Sequence, residues 1–124
     1  MSDLKPSEIA LVKATMVLIC RTVPGVRVWR QNTGALYDRE GRLVRYGVVG
    51  SADISGIASP DGWRIEIEIK QPGKLSMQTD KQRNWQRMVE DHGGIYILAD
   101  DPNDAAASLS ARLEERRARG RNER

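Results

Sequence analysis

The segment Trp63-Arg64-Ile65-Glu66-Ile67-Glu68-Ile69-Lys70 alternates apolar and charged residues without a break. Successive side chains of an extended chain point to opposite faces, so this pattern specifies a half-buried β-strand. Trp63, Ile65, Ile67 and Ile69 fall on one face, and Glu66, Glu68 and Lys70 on the other. Just upstream, Ser59-Pro60-Asp61-Gly62 has turn chemistry. Before it, Ala52-Asp53-Ile54-Ser55-Gly56-Ile57 reads as a second strand. A hairpin is therefore expected, with Asp53 on one arm and Glu68 and Lys70 on the other.

The remaining elements follow from period and punctuation. Residues Ser7 to Thr22 carry a helical stripe through Ile9, Leu11, Val12, Met16, Ile19 and Cys20, closed by Pro24-Gly25. Val26 to Arg30 alternates as a strand, Gln31 to Ala35 reads as a polar loop, and Asp38 to Arg42 holds a turn before Leu43 to Tyr46. After Gln71-Pro72-Gly73 the period lengthens. Asp80 to His92 is expected to be a helix with Trp85, Met88 and Val89 on its apolar stripe, ended by Gly93-Gly94. Ile95 to Ala99 is a short buried strand and Asp104 to Arg119 a final helix. The order is helix, three or four strands, helix, strand, helix: a mixed sheet flanked by helices, in the α/β or α+β class.

At 124 residues the chain fits one domain. Phe is absent, so the core rests on aliphatic residues, three Trp and three Tyr. The single cysteine, Cys20, cannot form an internal disulfide and is expected to pack as a small buried hydrophobe. No apolar run approaches 18 residues, and the start, with Ser2, Asp3, Lys5 and Pro6, lacks signal-peptide character. A soluble, intracellular protein is expected. The net charge of +3 is modest, but its arginines cluster. One group is Arg27, Arg30, Arg39, Arg42 and Arg45; the other is Arg112, Arg116, Arg117, Arg119, Arg121 and Arg124. Such groups suit phosphate backbones, with a solvated tail and a soluble surface as the other reading, and Glu115 with Arg119 fits an exposed helix pair.

Asp53 and Glu68 are the two carboxylates that a hard divalent cation requires, and the backbone carbonyl of Ile69 is a third oxygen donor between Glu68 and Lys70. Lys70, one side-chain alternation beyond Glu68, reaches the same space and suits the charge that develops at a reacting phosphate. An amphipathic strand with a solvated charged face explains Glu66, Glu68 and Lys70 without any ligand. The partner strand carrying Asp53 is what raises the metal reading above it. Zinc is disfavoured by one Cys and one His. No P-loop lysine follows Gly47 or Gly50. His92 at a Gly-Gly helix end suits a cap. Trp29, Tyr37 and Tyr46 alternate with basic residues and suit either nucleic acid or, in the preferred reading, the core.

The ordered set Gly50-Ser51-Ala52-Asp53-Ile54 and Ile65-Glu66-Ile67-Glu68-Ile69-Lys70 resembles the core of PD-(D/E)xK nucleases of restriction-endonuclease-like fold, with Ala52 where the group's name has proline. More narrowly, it resembles the stand-alone VRR-NUC family of phages and bacteria. Glu8 in the first helix, Gln31-Asn32-Thr33-Gly34, Gly47, Gly73-Lys74-Leu75-Ser76 followed by Gln82, and Gly93-Gly94-Ile95-Tyr96 complete the resemblance. It implies a nuclease domain over residues 1–110, followed by a basic helix end and tail over 111–124. It also implies Asp53 and Glu68 as ligands of Mg²⁺ or Mn²⁺, Lys70 as catalytic lysine, Gln82 near the site, and Glu8 projecting toward the metal. The stretch from Ser76 to Gln82 is longer than usual, so Gln78 competes with Gln82. Thr79 and Gln82 also have capping-box spacing, and Glu8 suits a helix start by its charge.

The activity so implied is metal-dependent endonucleolytic cleavage of DNA, with branched substrates such as Holliday junctions leading. Symmetric cuts in a four-way junction call for a two-fold homodimer. Arg27, Arg30, Arg42, Arg45 and Lys74 are the candidate contacts to the DNA backbone, which position without reading sequence. The expected setting is the cytoplasm of a bacterial or phage-infected cell. The alternatives are a non-catalytic DNA-binding module on the same fold and a flap-cutting or restriction-type nuclease. Glu66, one step before Glu68 on the same face, is the natural control position.

Overall fold

The computed structural model describes residues 7–32 and 34–122. Thr33, the first six residues and Arg124, which entered the reading above, lie outside the described residues. The fold is mixed α/β: α1 (Glu8–Thr22), β1 (Val26–Arg30), β2 (Gly34–Tyr37), β3 (Leu43–Tyr46), β4 (Ile54–Ala58), β5 (Trp63–Ile69), α2 (Asp80–Asp91), β6 (Ile95–Ala99) and α3 (Pro102–Asn122). Five strands precede α2, where three or four were expected. Strands β1, β4, β5 and β6 form one sheet in that order. The first two pairings are antiparallel, and β5 runs parallel to β6 because α2 carries the chain back between them.

The expected hairpin is present: β4 and β5 pair from Ile54 opposite Ile67 to Ala58 opposite Trp63. One sheet face carries Ile54, Ile65, Ile67, Ile69, Ile95 and Ile97, packed with Leu11, Val12 and Ile19 of α1 and Leu109 and Leu113 of α3. The other face is covered by α2, through Val89 and Trp85 against Ala52, Tyr96 and Leu98. This second cover corrects the expectation of a half-buried strand. Residues Ile65 to Ile69 are all buried, with Glu66 at 0% and Glu68 at 4% exposure. A period of two reports that the two faces differ in chemistry; it does not report what lies over the polar one.

Ser7 caps α1, its Oγ accepting from the Ala10 N–H, and places Glu8 in the first turn. The buried stripe of α1 is Leu11, Val12, Thr15 and Ile19. Cys20 lies one step further round the helix and is exposed, against the expectation of a buried hydrophobe. The segment read as a polar loop is also revised, since Gly34 and Ala35 open strand β2, paired with Tyr46 and Arg45. Strands β2 and β3 form a separate ribbon in which every residue is exposed. Trp29, Tyr37 and Tyr46 are surface residues, Tyr37 at 75% exposure: Tyr37 and Tyr46 lie on the ribbon, which has no second layer to bury them, and Trp29 lies on β1 at the edge of the larger sheet.

Helix α3 runs unbroken across residue 111, with Leu113 in the core. Its arginines fasten neighbouring turns. Arg112 donates to Tyr96 O, Arg116 to Gly93 O and Gly94 O, and Arg117 to Ser59 O and Pro24 O. Glu115 and Arg119 form the expected exposed pair. Among the described residues, no helix is long and apolar enough to cross a membrane.

Candidate metal centre

Asp53 ends the segment leading into β4 and is pinned from both sides. Its backbone carbonyl accepts from the Gln31 N–H at 2.8 Å, and its Oδ2 accepts from the Ile69 N–H at 2.8 Å. The second bond crosses to β5 beside Glu68, so the two carboxylates meet at the end of the hairpin. Glu8 joins them from the first turn of α1, and one carboxylate oxygen from each of Glu8, Asp53 and Glu68 lies within 4.8 Å of the other two. Residues 45 positions apart are thus brought to one point (Glu8 to Asp53) by the packing of α1 under the sheet.

Glu68 Oε1 accepts from Gln82 Nε2 at 2.9 Å and lies 3.8 Å from Lys70 Nζ. Lys70 Nζ in turn donates to Gln82 Oε1 at 2.9 Å, and its backbone N–H continues the ladder by donating to Ala99 O. Gln82 can do this because it stands in the first turn of α2. There it also completes a capping box: Thr79 Oγ1 accepts from the Gln82 N–H, and Gln82 Oε1 accepts from the Thr79 N–H. Cap and site neighbour are the same residue. Gln78, the competing glutamine, donates to Gln86 Oε1 instead.

Among the described residues, the other oxygen of Glu68, Oε2, is buried and has no hydrogen-bond partner. Leaving a buried acceptor unpaired costs about 1–3 kcal/mol, a cost that a cation beside the ionised carboxylate would remove. Burial, followed by the charge of Asp53, raises Glu68 to a pKa of about 8 despite the opposing effect of Lys70. Asp53 is also raised, chiefly by burial and then by the charge of Glu8, against the lowering effect of the Ile69 N–H. A divalent cation among three such oxygens would remove both causes, replacing desolvation with coordination and mutual repulsion with attraction. The donor set, carboxylate oxygens without sulfur or imidazole, fits Mg²⁺ or Mn²⁺. Ile69 stands between Glu68 and Lys70 with its N–H committed to Asp53.

A pocket of about 270 Å³ lined by Glu8, Lys70, Gln71, Lys74 and Met77 opens beside the cluster. Lys74 is therefore the candidate phosphate contact that lines the pocket beside the carboxylates. Arg30 ends β1 opposite Ile54, one residue from Asp53, and is exposed; Arg27 pairs with Ile57 further along the strand. Arg45 lies exposed on the ribbon. Arg42 has a local task, pairing with Asp38 at 2.8 Å and Glu40 at 3.2 Å across the turn. A larger groove of about 430 Å³, between α1 and the start of α3, is lined by Ala14, Val17, Leu18 and Pro102 among others and holds no carboxylate.

Glu66 is not a neutral control. Its Oε1 accepts from Trp85 Nε1 at 2.8 Å, its Oε2 accepts from the Ser55 hydroxyl, and Arg64 lies 3.7 Å away. These partners escaped the reading of the sequence, although spacing held the signal. Ser55 is two residues from Asp53 on the same strand face, and Trp85 is three from Gln82 on the same helix face. His92 caps α2, its Nδ1 lying 2.8 Å from Met88 O.

No protein-family model matches the chain, and no curated protein matches it.

Proposed function

We propose that the chain is a Mg²⁺- or Mn²⁺-dependent, structure-specific DNA endonuclease of the VRR-NUC kind, hydrolysing phosphodiesters in branched DNA with Holliday junctions foremost. The observation that carries this reading is the convergence of Glu8, Asp53 and Glu68 within 4.8 Å beside Lys70. The unpartnered Glu68 Oε2 gives that convergence a ligand to satisfy.

Glu8, Asp53 and Glu68, with the Ile69 carbonyl, would hold the cation. Bound there, it would supply Lewis-acid polarisation of the scissile phosphate and acidification of water. Lys70, held between Glu68 and Gln82, brings a positive charge to the pocket mouth, where it orients the attacking water and offsets charge building on the phosphate oxygens. Gln82 fixes Lys70 and Glu68 relative to one another. Lys74, Arg30, Arg27 and Arg45 offer exposed charge to the DNA backbone, reading shape rather than sequence. Cutting a junction symmetrically takes two such centres, so a two-fold homodimer belongs to the proposal. The β2–β3 ribbon exposes Leu36, Tyr37, Leu43 and Val44, residues of the kind a partner covers. The setting is the cytoplasm of a bacterial or phage-infected cell.

The test incubates the purified protein with labelled linear, flap and four-way DNA in Mg²⁺, Mn²⁺ or EDTA. Cleavage of the four-way substrate that requires metal is expected. Cleavage that survives EDTA or Asp53→Ala overturns the mechanism. Binding without cutting under every metal favours a non-catalytic module, and preference for flaps moves the substrate class.

A further inference from the structure

Glu66 is fully buried, ionisable, and absent from the chemistry just described. It sits in the middle of β5 with a partner on each side: Ser55 on β4 and Trp85 on α2. Helix α2 otherwise has a slender hold on the sheet. Among the described residues, Val89 is the one buried residue of its twelve. An amphipathic helix with so narrow an apolar stripe can rotate or slide at small cost, because dispersion and burial are non-directional. Hydrogen bonds are directional and fix what packing leaves loose. The Trp85–Glu66 bond joins helix to strand one turn from Gln82, whose two side-chain bonds reach Lys70 and Glu68.

We infer that Glu66 is a positioning residue for the metal centre: by accepting the Trp85 indole N–H, it sets the height and rotation of α2 so that Gln82 meets Glu68 and Lys70. This rests on the nuclease reading and assigns Glu66 no contact with metal or DNA. The device is geometric, so hydrogen-bond acceptance matters and the formal charge does not. Ser55 holds the carboxylate from β4, with Arg64 donating to the Ser55 hydroxyl at 3.2 Å. The peg is therefore anchored in two strands before it meets the helix. Partners that orient a ligand without touching the metal commonly change metal affinity or activity by about 10–100-fold when removed.

The experiment measures Mn²⁺ affinity by calorimetry and single-turnover cleavage of four-way DNA for Glu66→Gln, Glu66→Leu, Trp85→Phe and Gln82→Ala, and for Glu66→Leu combined with Gln82→Ala. Trp85→Phe and Glu66→Leu are expected to weaken Mn²⁺ binding and slow cleavage by about 10–100-fold. DNA affinity in EDTA should stay within about two-fold of the unsubstituted chain, since no phosphate contact is touched. Glu66→Gln, which keeps an acceptor for the indole, should retain metal affinity within about three-fold. In the Gln82→Ala background, Glu66→Leu should add less than about two-fold, because both act through one contact. If Glu66→Leu proves unstable, Trp85→Phe, which preserves the aromatic volume, carries the comparison. Unchanged Mn²⁺ affinity in Trp85→Phe, or a full effect of Glu66→Leu that persists without Gln82, overturns the inference while leaving the nuclease reading intact. An unsubstituted chain that neither binds Mn²⁺ nor cuts DNA overturns both.

Discussion

Gln82 donates a 2.9 Å hydrogen bond to Glu68 from the first turn of α2, and the same side chain closes the capping box that starts the helix. The beginning of α2 and the arrangement of the carboxylate cluster are therefore one structural event. Whatever displaces that turn displaces Lys70 as well, since Gln82 Oε1 accepts from its ammonium.

Asp53→Ala and Glu68→Ala should reduce metal-dependent cleavage to background, because each removes a carboxylate proposed as a ligand. Lys70→Ala should lower the single-turnover rate by about 10²–10³-fold, the usual consequence of deleting one charge-stabilising donor. Binding of four-way DNA in EDTA, followed by gel shift, should survive in all three. Lost binding in parallel with lost cleavage would reassign these residues to DNA contact.

The raised pKa of Glu68, about 8, fixes the sign of two pH effects. Between the ordinary value near 4.5 and about 8, the folded metal-free protein keeps a proton that the unfolded chain has released. The contribution of this group to stability should therefore be full below 4.5 and be lost as pH rises through 8, by up to about 1.4 kcal/mol per pH unit for one proton. Chemical denaturation at several pH values measures this, and Glu68→Gln should flatten the slope. Protons would compete with a bound cation for the same oxygens, so Mn²⁺ affinity should climb over the same window. Affinity that is flat from pH 6 to 8.5 would exclude Glu68 as a ligand.

Gly50 has φ of +88°, and a Cβ there would lie 2.7 Å from the Lys81 carbonyl oxygen in the first turn of α2. Neither the dihedral nor the contact accommodates alanine. Gly50→Ala should cost about 1–3 kcal/mol, lower the thermal midpoint, and slow cleavage by shifting Gln82. Gly41→Ala, with positive φ but open space around it, should lower stability without affecting cleavage.

The arginines separate by salt dependence. Lys74→Ala should weaken DNA binding and reduce the slope of log affinity against log salt by about one, as for the loss of one phosphate contact. Arg117→Ala should leave that slope unchanged and instead lower stability by about 1–2 kcal/mol, because its guanidinium serves the carbonyls of Ser59 and Pro24. A salt slope altered by Arg117→Ala would return the α3 arginines to the DNA surface.

The β4–β5 hairpin, the buried strand β6 and the helical segments were legible, because period and turn chemistry are local properties. Pairing Asp53 with Glu68 was legible for the same reason, since one turn separates their strands. The ribbon strand β2 was not, as Gly34 and Ala35 carry no alternation and gain their partners only from Tyr46 and Arg45. Cys20 was misjudged because a helix stripe drawn from composition is wider than the stripe that finds a neighbour. Trp29, Tyr37 and Tyr46 were misjudged because aromaticity does not say whether a second layer exists.

Sequence alone determined that Glu66, Glu68 and Lys70 share one face of a strand, for the backbone alternates whatever surrounds it. It also brought Asp53 within reach through a four-residue turn. Only the tertiary structure decided what that face became. Helix α2 lies over it, so the charged row is buried rather than solvated. Burial then separates two carboxylates that look alike in the chain. Glu66 has both oxygens satisfied and pegs the helix, while Glu68 keeps one oxygen unpaired among the described residues, beside Asp53 and Glu8. The difference is one of partners, and partners come from packing.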